Sequence, residues 1–438
     1  MTGPPREADG IHWSMYVKGE RPMPLLLDLW PVLPVAIISR TRYPFEKSYP
    51  DSCWGNIAAF LESEHHHRIC VNDLYRVPTS QWERLAAAMQ SPFPDLTFLR
   101  IFVEGDSVTP LPDSFLGGSA PLLRHLALGN CPFPAIPKLF LSTNHLVVLS
   151  LWNIPHSGYF SPQDLVTALS VTSKLEILRL RFQSPRSRPD PPSRPRPPPL
   201  TRTVLPALTY LAFQGVHEYL EDLLARVEAP LLNELEITFF MDLDFVVPQL
   251  HQLISHTDWP QTCDKAFVCT FDRAIQFATF RKTHQSPAFS LEVRCKQLDY
   301  QLASLVQVCG SSLRLFPNLV QLDIVDPVPP NPLSYWKGDL ESAQWLELLQ
   351  PFTAVKDLRL TDVVARHVCQ ALEELAEDRV TQVLPALHGI FLSDLATGES
   401  VPPKSVEQFV VARRLSGHPV AVYPWRDRGN YEKPSRDI

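Results

Sequence analysis

A six-residue spacing, Leu-x-x-Leu-x-Leu with Ile, Val or Phe allowed, recurs along most of this chain, and a repeat of this kind constrains folding more than any local propensity. It stands at LTFLRI from Leu96, LRHLAL from Leu123, LVVLSL from Leu146, LEILRL from Leu175, LTYLAF from Leu208 and LNELEI from Leu232. It returns at LVQLDI from Leu319, VKDLRL from Val355 and LHGIFL from Leu387. Two weaker copies, AFVCTF from Ala266 and AFSLEV from Ala288, fill the gap after residue 237. Six units carry proline two residues ahead (Pro94, Pro121, Pro206, Pro230, Pro317, Pro385), where a missing N–H and a fixed φ suit the entry to a short strand.

Successive units start 22 to 36 residues apart, close to the ~20–29 residues of leucine-rich repeats. Helical spacing fills several intervals. Ser161-Pro162-Gln163-Asp164 supplies an N-cap, a first-turn proline and an early carboxylate. HEYLEDLLARVE puts Leu220, Leu223, Leu224 and Val227 on one face, and PQLHQLISHT, QLDYQLASLVQVC, LESAQWLELLQ and VCQALEELAE repeat that spacing. The expected fold is α/β: a leucine-rich-repeat-like solenoid with parallel strands on the concave face and helices on the convex face, each unit burying one face only by stacking on its neighbours. The full motif, in which an Asn or Cys satisfies the turn's backbone, occurs only around Leu123, where Cys131 takes that place.

Residues 21–90 are expected to cap the first open face, with strands in WPVLPVAII and HRICVNDL and a capping box at Ser80-Gln81-Trp82-Glu83. Residues 91–400 hold the irregular repeats. Residues 401–425 form the other cap, with a capping box at Ser405, Gly417 closing the helix and VAVYPW as the last edge strand. Residues 1–20 and 426–438 are expected to be disordered. The stretch 184–200 holds eight prolines and four arginines and reads as an extended, solvated insertion, with a ligand for SH3 or WW modules as the alternative.

Chemistry-bearing motifs are sparse. There is no phosphate-binding glycine loop, zinc helix or nucleophile elbow. His65-His66-His67 reads as a solvated loop, because adjacent residues diverge and no ligand stands at metal spacing; Asp242 and Asp244 read as the polar end of a repeat. No catalytic residue, cofactor or metal is assigned. The alternative is a hydrolase or transferase on an α/β fold with an unrecognised site. A net charge of −7 argues against a nucleic-acid partner. The apolar stretch Leu25–Ser39, broken by Asp28, Pro31 and Pro34, is too short to span a membrane. Eight scattered cysteines without a C-x-x-C pair suit buried, reduced thiols in the cytoplasm or nucleus.

Alternation along each strand places the residues between the motif leucines on the opposite face. In the first five units that face carries Phe98, Arg100, Phe102, His125, Val148, Ser150, Trp152, Ile177, Arg179, Arg181 and Tyr210, with three arginines and no acid. In the last six it carries Glu234, Glu236, Val268, Thr270, Asp272, Ser290, Glu292, Arg294, Asp323, Asp357 and Arg359, with six acids against two arginines. The expectation is a bipolar inner wall, aromatic and basic then acidic, spanning about 50 Å and docking a protein partner.

Longer phrases carry a resemblance. PDSFLGGSAPLLRHLAL (112–128), PKLFLSTNHLVVLSLWNIPHSGYFSP (137–162), LPALTYLAFQGVHEYLEDLLARVEAPLLNELEITFF (205–240) and WLELLQPFTAVKDLRL (345–360) resemble the expanded F-box and leucine-rich-repeat proteins of mushroom-forming fungi. The resemblance covers about residues 25–425. It implies substrate recognition, with an N-terminal F-box docking on the adaptor of a cullin ubiquitin ligase while the repeats hold the substrate. No L-P-x-E opening precedes Leu25, and MPLLLDLW resembles the segment just past an F-box. A cullin-adaptor partner is therefore expected only if the full gene supplies that box; otherwise the expectation is a monomeric protein-binding scaffold.

Overall fold

The structure, a computed structural model, describes residues 14–16, 34–39, 51–105, 109–132, 139, 142–185, 202–240, 247–271, 274–282, 286–294, 303, 305–307, 316–325, 342–375, 380–393 and 404–425. Asp242, Asp244, Asp272, Cys295, Cys309, nearly all of the 184–200 insertion, most of the 297–309 helical stretch and the 426–438 tail lie outside them. The chain divides into two compact units, Met1–Leu232 and Asn233–Ile438.

The first unit contains β1 (Ser14–Tyr16), β2 (Val35–Ile38), β3 (Ile69–Val77), β4 (Phe98–Val103), β5 (His125–Gly129), β6 (Val148–Ile154), β7 (Ile177–Phe182), β8 (Thr203–Val204), β9 (Tyr210–Gly215) and β10 (Val227–Glu228). Among the described residues, β1 to β7 and then β9 lie side by side in chain order, and every pair is parallel. β8 and β10 form a separate parallel pair. Helices α1 (Asp51–Glu62), α2 (Thr79–Ala88), α3 (Pro162–Leu169) and α4 (His217–Arg226) occupy some of the returns. Between β4 and β5 the described return is only a 3-10 turn, Phe115–Gly118, so the helix-per-unit pattern is incomplete.

The motif explains why each rung forms. The first leucine closes a four-residue turn, its N–H donating three residues back: Leu96 to Phe93, Leu123 to Ala120, Leu146 to Thr143, Leu175 to Thr172 and Leu208 to Leu205. Pro94, Pro121 and Pro206 take the second position of that turn, where φ near −65° is wanted. They belong to the turn rather than to the strand itself. The next N–H reaches the preceding rung: Thr97 to Cys70, Arg124 to Thr97, Val147 to Arg124, Glu176 to Val147 and Thr209 to Glu176, all at 2.8–2.9 Å. The apolar motif side chains of these five rungs are at most 4% exposed.

At the strand ends, Asn130 and Asn153 adopt positive φ (58° and 54°), which Asn tolerates better than most residues. Asn130 Nδ2 donates to the Val103 carbonyl at 2.7 Å, and Asn153 Nδ2 donates to Asn130 Oδ1 at 2.8 Å. Asn130 therefore does the bridging expected of Cys131, whose thiol donates to the Gly129 carbonyl two residues away.

Local expectations were corrected in three further places. α2 starts at Thr79 with Pro78 as its uncapped N-cap, so Ser80 lies inside the helix. His65, His66 and His67 form part of a 3-10 helix, Glu64–Arg68, capped by Ser63; His66 Nδ1 and His67 Nδ1 bond back to the Ser63 and Glu64 carbonyls. Ser14–Tyr16, expected to be disordered, pairs with β2 because that strand would otherwise end in unpaired backbone. The Ser161 cap on α3 forms as expected, accepting from Asp164 N.

The second unit contains β11 (Glu234–Phe240), β12 (Cys263–Phe271), β13 (Ala274–Arg281), β14 (Pro287–Arg294), β15 (Gln321–Val325), β16 (Asp357–Leu360), β17 (Gly389–Ser393) and β18 (Ala421–Trp425). Its helices are α5 (Pro248–Ser255), α6 (Ser342–Leu349), α7 (Asp362–Glu373) and α8 (Lys404–Leu415). The two weak copies are not successive rungs: β12, β13 and β14 form an antiparallel meander, with β14 beside β11 and β12 beside β15. β15 to β18 then continue in parallel. The chain is therefore α/β with large, mostly parallel sheets.

α8 ends in a Schellman motif: Gly417 has φ 82°, its N–H reaches the Arg414 carbonyl, and His418 N–H reaches that of Arg413. Arg413 is fully buried, and its guanidinium donates to the carbonyls of Val380, Leu384, Pro385 and Leu387 at 3.2–3.3 Å. It thus holds the last motif turn, in which Leu384 sits at φ 49°. Replacing Arg413 with Leu should orphan these carbonyls and cost about 3 kcal/mol. Thermal unfolding of the full chain checks this, with Arg413→Lys, a single point donor, expected to restore only part of the loss.

Candidate protein-binding face

The face opposite the motif leucines is laid out by the parallel register of the first unit. Phe98, His125, Val148, Ile177 and Tyr210 form one row across β4, β5, β6, β7 and β9. Asp73, Arg100, Ala127, Ser150, Arg179 and Ala212 form the next, starting from β3. Phe102, Gly129 and Trp152 form a third, beside Arg181. Apart from Asp73 on β3, which lies outside the repeat, these rows come from strict alternation and were legible from the motif.

Side chains on these rows hold one another in place. Arg100 is bound bidentately by Asp73, its Nε donating to Oδ1 at 2.7 Å and Nη2 donating to Oδ2. Its guanidinium also lies 5.6 Å from the Phe98 ring, which stacks on His125 at 4.3 Å. Arg179 lies 4.8 Å over Tyr210 and donates to Ser150 Oγ at 3.3 Å, and Arg181 lies 4.2 Å over Trp152. Such cation–π contacts contribute about 0.5–2 kcal/mol each, more as water is excluded. Phe102 lies across β5, where a Cβ on Gly129 would sit 2.3 Å from its ring, and it meets Tyr75 at 5.6 Å.

Sequence reasoning passed over Asp73, which neutralises Arg100; the alternation of HRICVNDL carried that signal. Tyr210 is buried rather than displayed, because Arg179 covers it. Phe98, Arg100, Phe102, Trp152, Arg179 and Arg181 remain half-buried on the face.

His125 is the most perturbed group there. Burial pushes it down to about 4, and the nearby charges of Arg100 and Arg179 push the same way, while Asp73 opposes them. It is therefore uncharged at neutral pH.

In the second unit two of the expected wall acids, Asp323 and Glu292, are buried and paired instead of displayed. Asp323 is completely buried, with Lys265 Nζ at 2.8 Å, Gln321 Nε2 at 2.8 Å and Arg359 Nε at 4.0 Å. Glu292 is buried and paired with Arg294 at 2.7 Å. A buried carboxylate needs such partners, so these acids neutralise neighbouring cations rather than present charge. Glu234, Glu236 and Asp357 are half-buried on the same face.

Lys265 was missed because the β12 copy starts at Cys263, not Ala266. Lys265 pairs with Gln321, and Cys263, Ala266 and Val268 fill the motif positions, all 0% exposed. A shift of three residues reverses the face. Val268 thus points to the motif side, and Phe267 and Cys269 take its expected place, clustered with Ala278, Val325, Phe280 and Trp425. Arg359 lies 5.4 Å from Phe391 and 5.7 Å from Trp425.

No group of three or more His, Cys, Asp or Glu residues among the described ones is placed to hold a metal. The six described cysteines are free thiols, and burial pushes the Cys369 thiol up to about 12 and that of Cys131 higher still. No helix among the described residues is long and apolar enough to cross a membrane. The chain matches no protein-family model and no curated protein.

His125 gives a pH prediction. Its folded pKa lies below the unfolded value of about 6.5, so between those values the unfolded state binds the extra proton. Its contribution to stability is complete above about 6.5 and is lost as pH falls toward about 4. Melting temperatures of wild type and His125→Gln across pH 4–8 should differ in slope only below about 6.5, the variant being less acid-sensitive.

Proposed function

We propose that the chain is a protein-binding leucine-rich-repeat scaffold, resembling the substrate-recognition part of an F-box ubiquitin-ligase receptor. The carrying observation is the run of rungs from β4 through β9 with the same turn, the same rung-to-rung hydrogen bond and the same buried positions. Units that repeat in this way stack as a solenoid, and the exposed side of their strands is the surface such stacks use for docking. On that side stand Phe98, Arg100, Phe102, Trp152, Arg179 and Arg181, residue types that anchor protein interfaces.

In this reading the rungs wind with strands on the concave side and helices outside, the partner is a protein, and the chain works as a monomer in the cytoplasm or nucleus without cofactor or catalysis. A cullin adaptor joins only where the full gene supplies an F-box. The second unit adds aromatic and paired charged residues to this face.

Truncating the anchors tests this. Phe98→Ala with Trp152→Ala should remove a discrete set of captured cellular proteins while the far-ultraviolet spectrum stays that of wild type. Retention of the whole set by the folded double variant would contradict the proposal.

A further inference from the structure

Resting on that protein-binding reading, we infer that the row from Arg100 to Arg179 receives an extended acidic peptide, with one carboxylate seated at Arg179. The two guanidiniums are three strands apart, about 14 Å at ~4.8 Å per strand, and only Ala127 and Ser150 lie between them in the row. Flanking positions are larger: Phe98, His125, Val148 and Ile177 on one side, Phe102 and Trp152 on the other. A low row between higher ones suits an extended chain crossing the strands, and this length takes about four residues.

Charge selects the occupant. Arg100 is committed to Asp73. Arg179 has no carboxylate partner among the described residues; it rests on the Tyr210 ring and the Ser150 hydroxyl, and its remaining donors are uncommitted. A carboxylate arriving there would gain charge-assisted hydrogen bonds from a guanidinium already oriented by an aromatic ring. His125 stays uncharged mainly through burial, so it adds no competing charge, and the guanidinium of Arg179 is the group that attracts the carboxylate. Val148 and Ile177 offer aliphatic contact to residues beside the acid, which favours a peptide over stacked bases.

Fluorescence anisotropy on the full chain tests this with three labelled probes: an eight-residue peptide alternating Glu and Leu, its Gln counterpart, and a single-stranded RNA octamer. The Glu peptide should bind about tenfold more tightly than the Gln peptide, in proportion to a charge-assisted hydrogen bond, and should weaken as salt rises. Arg179→Gln should abolish the preference, Arg179→Lys should keep part of it, and Ile177→Glu, which leaves Arg179 intact, should weaken the Glu peptide selectively. Equal affinity for the Glu and Gln peptides, an undiminished preference in Arg179→Gln, or tighter binding of the RNA would overturn the inference. If cellular capture still depends on Phe98 and Trp152 in that case, the acidic occupant falls and the protein-binding reading stands.

Discussion

Parallel strands cannot be joined by a tight hairpin, so each must be followed by a return before its neighbour can begin. In the first unit the chain meets this constraint with a short repeated device. A turn closed by the first motif leucine aims the next N–H at the preceding rung, and the bond from Thr97 to Cys70 is copied through Arg124, Val147, Glu176 and Thr209. Everything else in that unit depends on this ladder. It sets the register, the register puts the motif leucines on one face, and their burial holds the rungs together. A break at one rung would misalign every residue on the opposite face.

That dependence brings together residues far apart in the chain. Phe98, His125, Val148, Ile177 and Tyr210 come from positions up to 112 residues apart in the chain, yet stand side by side because four strand pairs share one register. The aromatic rings then fix the arginines, with Tyr210 beneath Arg179 and Trp152 beneath Arg181. Asp73 plays the complementary part by taking up the charge of Arg100, which leaves the face with an uneven distribution of charge.

Much of the first unit was legible because the motif specifies both spacing and face. The strands at Phe98, His125, Val148, Ile177 and Tyr210 follow the leucine pattern, and the outward residues follow from alternation. What escaped the reading depends on partners distant in sequence. Asp73 neutralises Arg100 from a strand outside the strong repeat, and Asn130 does the bridging that motif spacing assigns to Cys131. In the second unit a cysteine stands where leucine is usual. Cys263 hides the true start of the β12 copy, and the displaced register turned Val268 outward on paper and left Lys265 unread. No glycine stands in the sequence between β12 and β13, so their antiparallel pairing left no signal in the composition.

The rungs beginning at 96, 123, 146, 175 and 208 are consecutive, parallel neighbours. Methyl-detected NMR on leucine-labelled protein tests this order most directly. Cross-peaks should link Leu99 to Leu126, Leu126 to Leu149, Leu149 to Leu178 and Leu178 to Leu211, in that order. Strong contacts that skip a rung, or an order other than this one, would contradict it.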